Sequence, residues 1–129
     1  VIPGLSQPLH AAACAKAILA HHPNAFVRSL LPESLPKLCT NTKTQHDEVL
    51  AELSAVKDRG FATCVNENEF GITAIACPIL VPGVGVIYSI GVMALGDRLQ
   101  EKRVPEVTTV LKTAAAELAA SAGVRRVAE

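Results

Sequence analysis

Two long apolar runs, residues 71–81 and 84–95, are separated only by Pro82-Gly83. Each is too short to cross a membrane, which takes roughly 18 apolar residues or more. Both are rich in β-branched residues, and two such runs around a turn signal predict a β-hairpin. A two-residue turn (82–83) and a four-residue turn (82–85) give the same facing. In either, even positions of the first strand share a face with odd positions of the second. One face then carries Ile75, Cys77 and Ile79 with Val86, Tyr88, Ile90 and Val92. It is bulky and reads as packed core. The other carries Ala74, Ala76 and Pro78 with Ser89, Gly91 and Met93, and is mostly small.

A sheet face of small side chains has two explanations. A helix packs very close to it, or it lines a hollow for a ligand, since binding pockets are concave and mostly apolar with few polar groups. Composition fits both. Half of the 129 residues are hydrophobic but only 3% are aromatic, so the apolar half is aliphatic and small. A chain of this length suits one domain able to bury a core without staples. Twelve basic against twelve acidic side chains, in a chain 19% charged, exclude a basic nucleic-acid arm and an acidic disordered tail. The four cysteines (14, 39, 64 and 77) follow no disulfide or zinc spacing and read as reduced thiols of a cytosolic protein. No secretory leader pattern opens the chain.

The remaining elements frame the hairpin. Residues 1–9, broken by Pro3, Gly4 and Pro8, read as the end of a strand and a turn, as though part of the domain lay before them. Residues 9–22 are alanine-rich and predict a first helix, stopped by Pro23-Asn24. A short helix over 24–31 ends at Pro32, and 32–44 is a polar connection. Thr44 with Asp47 approximates a capping box for a third helix, whose stripe is Val49, Leu50, Leu53 and Val56 and whose stop is Gly60. A strand over 61–65 and a polar loop, Asn66-Glu67-Asn68-Glu69, lead into the hairpin. After a loop over 96–103, Pro105 and Glu106 suit a helix start. That last helix runs to about Ala122, with Val107, Val110, Leu111, Ala114 and Leu118 inward and Gly123 as its stop. The order predicts an α/β (α+β) fold with helices packed on an antiparallel sheet.

Chemistry-bearing groups are few. His10 and Cys14 share helical spacing, and a thiolate–imidazole pair makes a nucleophile. No third orienting group accompanies them, so Cys14 reads as a small hydrophobe and His10 as a cap or packing residue. His21, His22 and His46 lack metal-ligand spacing. Glu67 and Glu69 read as a solvated turn. Arg125-Arg126 is too small a patch to bind DNA. These residues predict no enzyme, no metal and no cofactor.

Three stretches in register resemble one family. Pro8-Leu9-His10-Ala11-Ala12-Ala13-Cys14-Ala15-Lys16-Ala17-Ile18-Leu19-Ala20 is similar to the PLHxTAxGKAxLA segment of IclR-type (isocitrate lyase regulator) transcription factors. Leu50 to Leu53, Val56 and Arg59-Gly60-Phe61-Ala62 resemble that family's second motif. Asn66-Glu67, Gly71-Ile72 and Ile75-Ala76-Cys77-Pro78-Ile79 resemble its third. The resemblance covers essentially the whole chain.

It implies a GAF-like effector-binding domain over 1–129, lacking its first strands, from a longer cytoplasmic regulator. The winged helix-turn-helix that binds DNA in that family is not in this chain, so DNA would be met only through the missing part. Homodimers or tetramers are implied, and no membrane partner. The family's pocket positions fall here on Ala13, Cys14, Cys64, Ala74, Gly91 and Met93, with Ala76 and Ser89 on the same small face. Where sensors of small keto acids present Asp, Cys and Ser, this chain offers Cys64, Ala74, Gly91 and Met93. Burying a carboxylate without paired donors is costly, so the expected effector is a less polar organic acid, its head set against the backbone N–H groups of Ala13 and Cys14. A thiol redox sensor on the same fold, using Cys14 and Cys64, is the alternative.

Overall fold

The computed structural model describes residues 3–128, with the side chains of 97 and 123–128 outside the described set. Three antiparallel strands, β1 (Ala62–Val65), β2 (Ile72–Val81) and β3 (Gly85–Leu95), form one sheet in the order β1-β2-β3. Helices α1 (Ala13–Leu19), α2 (Asn24–Leu30) and α3 (His46–Arg59) precede it, and α4 (Val104–Ala128) follows. The fold is α+β, as the element order predicts. The strand end expected at the start of the chain falls on residues 1 and 2, outside the described residues, while Pro3-Gly4 is a turn.

The hairpin register decides which residues face which layer. From Ile72↔Leu95 through Ala74↔Met93, Ala76↔Gly91 and Pro78↔Ser89 to Ile79↔Tyr88 it follows the four-residue-turn alternative. A bulge between Ile79 and Leu80 then shifts the register, so Leu80 pairs with Val86 and Val81 with Gly85. Val86 therefore leaves the bulky face to which the unbroken pairing assigned it. The turn is closed by Gly83 (φ 77°) and Gly85 (φ 96°), a left-handed conformation open chiefly to glycine.

The two faces bury separate cores. On the small face Ala62, Cys64 and Ala76 pack with Ala13, Ala17 and Leu19 of α1, Val27 of α2, and Val49, Leu53 and Val56 of α3. On the other face Ile75, Cys77, Ile79 and Val81 meet Leu111 and Ala115 of α4. Each Leu or Val fully buried here contributes about 1.5–3 kcal/mol.

Helix ends depart from the expected ones in instructive ways. α1 is shorter because residues 8–12 form a turn, with the Pro8 carbonyl accepting the N–H groups of Ala11 and Ala12. Gln45, not Thr44, is the cap residue of α3, and no side chain caps that end, so the Thr44–Asp47 box does not form. Gly60 does end α3, in the left-handed conformation (φ 85°). The connection over 96–103 contains two 3₁₀ turns, Gly96–Leu99 and Glu101–Arg103. Gly123 does not stop α4, which continues to Ala128. A helical glycine costs only about 1 kcal/mol against alanine.

The α4 stripe is also rotated from the expected one. Thr108, Leu111 and Ala115 are buried, whereas Val110 (65% exposed) and Leu118 face out. The β3 half of the bulky face is correspondingly thinly covered, with Tyr88 59% exposed and Val92 exposed too. His21, just after α1, is held below the ordinary histidine range by burial first, then by Lys57 and His22. The native state thus favours neutral His21, and its contribution to stability is present above pH 6.5, the unfolded value, and lost as pH falls below it. Urea melts between pH 8 and 5 should show this loss in the parent chain and less of it in His21→Gln. Equal slopes would contradict it.

Candidate functional site

The small face answers both explanations offered for it, with Gly91 and Cys14 where the two meet. Under α1 the helix packs tightly. A Cβ built on Gly91 would sit 2.9 Å from the Ile75 carbonyl oxygen, 3.1 Å from the Ala76 Cβ and 3.2 Å from the Cys14 Sγ. Ser89 Oγ donates to the Cys14 carbonyl (3.1 Å), and His22 Nε2 donates to the Val86 carbonyl (2.8 Å). Small side chains here are what close helix–sheet approach requires.

Beyond the N-terminal end of α1 the face runs on with no helix above it among the described residues, and a hollow of ≈ 400 Å³ opens. Cys64, Ala74, Gly91 and Met93 belong to its sheet wall, and Ala13 and Cys14 to its helix wall. The α1 cap residue is Ala12, which offers no side-chain acceptor, so among the described residues no side chain caps the first-turn N–H groups of that helix. Polar groups come from two loops: Gln7 before the turn, and Asn68 and Glu69 between β1 and β2. Asn68 Nδ2 donates to Gln7 Oε1 (3.2 Å), which ties those two loops together.

Of the eight candidate positions, the structure brings Ala13, Cys14, Cys64, Ala74, Gly91 and Met93 together around this hollow. Ala76 is wholly buried in the core, and the Ser89 hydroxyl is engaged by Cys14, so neither lines it. Sequence reading missed the polar rim of Gln7, Asn68 and Glu69. The cue was the density of Asn and Glu over 66–69 directly before the small-faced strand, which reads equally well as a solvated turn.

Glu67 overturns that solvated reading. It is buried, and its Oε2 accepts from Lys16 Nζ at 2.8 Å. Lys16 is 1% exposed, also donates to the Thr63 carbonyl, and lies 3.7 Å from Glu52 Oε1. Arg59 completes the chain of charges at 3.2 Å from Glu52. Thr42 Oγ1 donates to the Glu67 carbonyl, and Asn66, at φ 50°, accepts the Gly71 N–H on its Oδ1 (2.7 Å). The loop that supplies Asn68 and Glu69 to the hollow is thereby fixed to α1 and to the 39–42 segment.

The thiols do not support a redox site. All four cysteines are free. Burial pushes the Cys64 thiol above its ordinary value, with the Glu67 carboxylate adding to the effect against hydrogen bonds from Asn68 and Glu67 backbone. A raised thiol is poorly ionised and poorly nucleophilic. His10 is turned away from Cys14 and donates from Nε2 to the Pro36 carbonyl (2.9 Å), so the thiol–imidazole pair does not form. Among the described residues no group of three or more His, Cys, Asp or Glu could hold a metal ion, and no helix is long and apolar enough to cross a membrane.

Comparison with known proteins places this geometry. Residues 2–120 match the family model described as bacterial transcriptional regulator IclR C-terminal. The HTH-type transcriptional regulator KipR of Bacillus subtilis is 28% identical over 121 residues, covering 93% of this chain and 48% of KipR. The C-terminal domain of the Escherichia coli transcriptional regulator KdgR superposes with a TM-score of 0.83 at 28% identity, over 91% of this chain and 72% of that one. The inducer-binding domain of a PobR double mutant from Acinetobacter, in complex with 3-hydroxybenzoic acid, superposes at 0.80 with 26% identity, over 88% of this chain and 66% of that one. The chain spans about half the length of the curated relatives it matches.

Proposed function

Since the chain belongs to the family of bacterial IclR-type transcriptional regulator C-terminal domains, we propose that it senses a small organic molecule for such a regulator. The observation that carries this reading is the walled hollow of ≈ 400 Å³ where the start of α1, β1, the β1–β2 loop and the small face of the hairpin meet. Its volume lies within the range of small-molecule sites. Ala13, Cys14, Cys64, Ala74, Gly91 and Met93 are its contact residues. Ala76 and Ser89 support it from beneath α1.

The effector class follows from the walls. They are mostly apolar, with polar side chains among the described residues at Gln7, Asn68 and Glu69. A weakly polar organic acid, with one polar head and an apolar body, suits them better than glyoxylate or pyruvate. The complex of PobR with 3-hydroxybenzoic acid places an acid of this class in a domain of the same fold. Binding would favour one quaternary arrangement of a dimer or tetramer and so alter the DNA affinity of a winged helix-turn-helix elsewhere in the regulator. The outer edge of β3 bears on the domain's extent. Ile87, Tyr88, Met93 and Leu95 are exposed along a strand with only β2 beside it among the described residues. Such an edge calls for a covering segment, and we read it as the seat of the domain's first strands.

A thermal-shift and calorimetric panel of benzoate, 3-hydroxybenzoate, glyoxylate and pyruvate tests the proposal. An aromatic acid should raise Tm, because a ligand that binds only the native state adds to its stability, by about 2.7 kcal/mol at a hundred times Kd. Ala74→Phe, which fills the hollow from the strand wall, should abolish that shift while the chain still melts cooperatively. Tight glyoxylate binding with none for the aromatic acids would refute the effector class. An unchanged response in Ala74→Phe would remove the hollow as the site.

A further inference from the structure

A second cavity, of ≈ 650 Å³, lies beyond the β1–β2 pairing, between α4, the turn end of β2 and the C-terminal end of α3. The effector reading makes no use of it. Two properties set it apart from a gap left by imperfect packing.

The first is its charge. Lys57 from α3, Lys112 from α4 and His21 after α1 all line it, and among the described residues none that lines it is acidic. Neither lysine forms a salt bridge among the described residues. Lys112 Nζ instead donates to the Arg59 carbonyl (3.2 Å) and lies 5.9 Å from the centre of the Phe61 ring. Cationic groups gathered without a counter-charge repel one another, and Lys57 and His22 already disfavour a proton on His21. The buried Nε2 of His21 also lacks a hydrogen-bond partner among the described residues. Leaving a buried polar atom unpaired is costly.

The second property is the floor. Ala115, Ala116, Ala119 and Ala120 present α4 to the cavity as methyl groups, and Cys77, Pro78 and Leu80 line it from the turn end of β2. Leu111 and Ala115 hold the helix on the sheet, and the alanine methyl groups leave the space beside it open. A cationic rim over an aliphatic floor matches one chemistry. Both parts are satisfied by an anion carrying an apolar tail, and neither an inorganic anion nor a neutral hydrocarbon satisfies both.

We propose that this cavity is a second ligand site, for an aliphatic carboxylate whose head sits between Lys57 and Lys112 and whose chain lies along the alanine face of α4. It is distinct from the effector hollow, with which it shares no lining residue. An anion there would neutralise the lysine pair and tie α3 to α4. A charge-assisted hydrogen bond is shorter and roughly twice as strong as a neutral one.

Sodium octanoate is the probe, titrated calorimetrically into the Ala74→Phe chain so that the first hollow is filled. One site should remain. Lys57→Gln with Lys112→Gln should weaken it by tenfold or more, and Ala116→Trp, which fills the channel from an exposed helix position, should abolish it. Acetate, with the same head and no tail, should bind at least tenfold more weakly. No octanoate binding up to about 10 mM overturns the proposal, as does binding that ignores the lysine substitutions. Octanoate binding seen in the parent chain and lost in Ala74→Phe would assign the ligand to the first hollow instead. If the double glutamine variant melts early, Ala116→Trp and the acetate comparison still decide the matter.

Discussion

Replacing Lys16 with methionine is expected to cost about 3–5 kcal/mol of folding stability, the usual result of removing one partner from a buried ion pair. The methionine matches the lysine stem in volume, so the loss comes from charge and not from a cavity. Glu67, whose side chain is 8% exposed, would be left without the ammonium that now sits 2.8 Å away. Glu52 would keep Arg59 at 3.2 Å, so the damage concentrates on Glu67. The Thr63 carbonyl would lose a donor as well. The double variant Lys16→Met with Glu67→Leu should regain most of the loss, because an apolar pair of similar volume can replace a buried ion pair at little cost. Urea melts of the four chains close the cycle, and a coupling energy under about 0.5 kcal/mol would show the pair to be effectively solvated.

The same substitution has a functional readout. Glu67 is one residue from Asn68 and two from Glu69, which reach the rim of the effector hollow. Its anchoring to α1 by Lys16 and to the 39–42 segment by Thr42 fixes where those two side chains stand. Loosening the loop should therefore weaken effector binding even under conditions where Lys16→Met remains folded, with Asn68 and Glu69 no longer held in place before the ligand arrives. In that sense the charge network is part of the site's preorganisation, although none of Lys16, Glu52 and Arg59 lines the hollow.

How the sequence relates to this structure depends on the range of each interaction. The hairpin faces were legible because strand periodicity is strict and local, and Ala74↔Met93, Ala76↔Gly91 and Pro78↔Ser89 are paired as the alternation requires. The bulge at Ile79/Leu80 was not legible, since one extra residue leaves the composition of both runs unchanged. Gly60 was readable as a stop because it closes a helix that has a clear apolar stripe. Gly123 misled because α4 is small or apolar at most positions, so neither its end nor its inward stripe is sharply marked. The Lys16–Glu67 pair spans 51 residues, and no local rule connects its members. One cue was present: Ala12, Ala13, Leu19 and Ala20, the helical neighbours of Lys16, are all apolar, which places the lysine inside the stripe and not opposite it. The family motifs located the hollow because they mark the backbone around it. They could not show that Ala76 and Ser89 support α1 from below, as that division depends on where the helix begins.

Gly91→Leu is expected to separate close packing from ligand binding on the small face. Gly91 lies within β3 and is paired with Ala76, and its φ is not among the positive ones, so a side chain meets no backbone penalty there. What it meets is space already taken. Its Cβ would fall 2.9 Å from the Ile75 carbonyl oxygen, which is main chain and cannot swing aside, and 3.2 Å from the Cys14 Sγ on the first turn of α1. Relief of the Cys14 contact requires α1 to lift from the sheet, stretching the Ser89–Cys14 hydrogen bond and moving the Ala13–Cys14 wall of the hollow, while relief at Ile75 requires β3 to shift against β2. Overpacking of this kind costs about 1–3 kcal/mol, and effector affinity should fall by at least tenfold because one wall of the site has shifted. Gly91→Ala should show a smaller version of both effects, graded with side-chain size. Cys14→Ala removes the sulfur contact and should restore part of the stability lost in Gly91→Ala, a compensation with no origin other than direct packing between the two positions. Additive losses in that pair would mean that α1 does not bear on the sheet at Gly91, and that the small residues there serve the hollow alone.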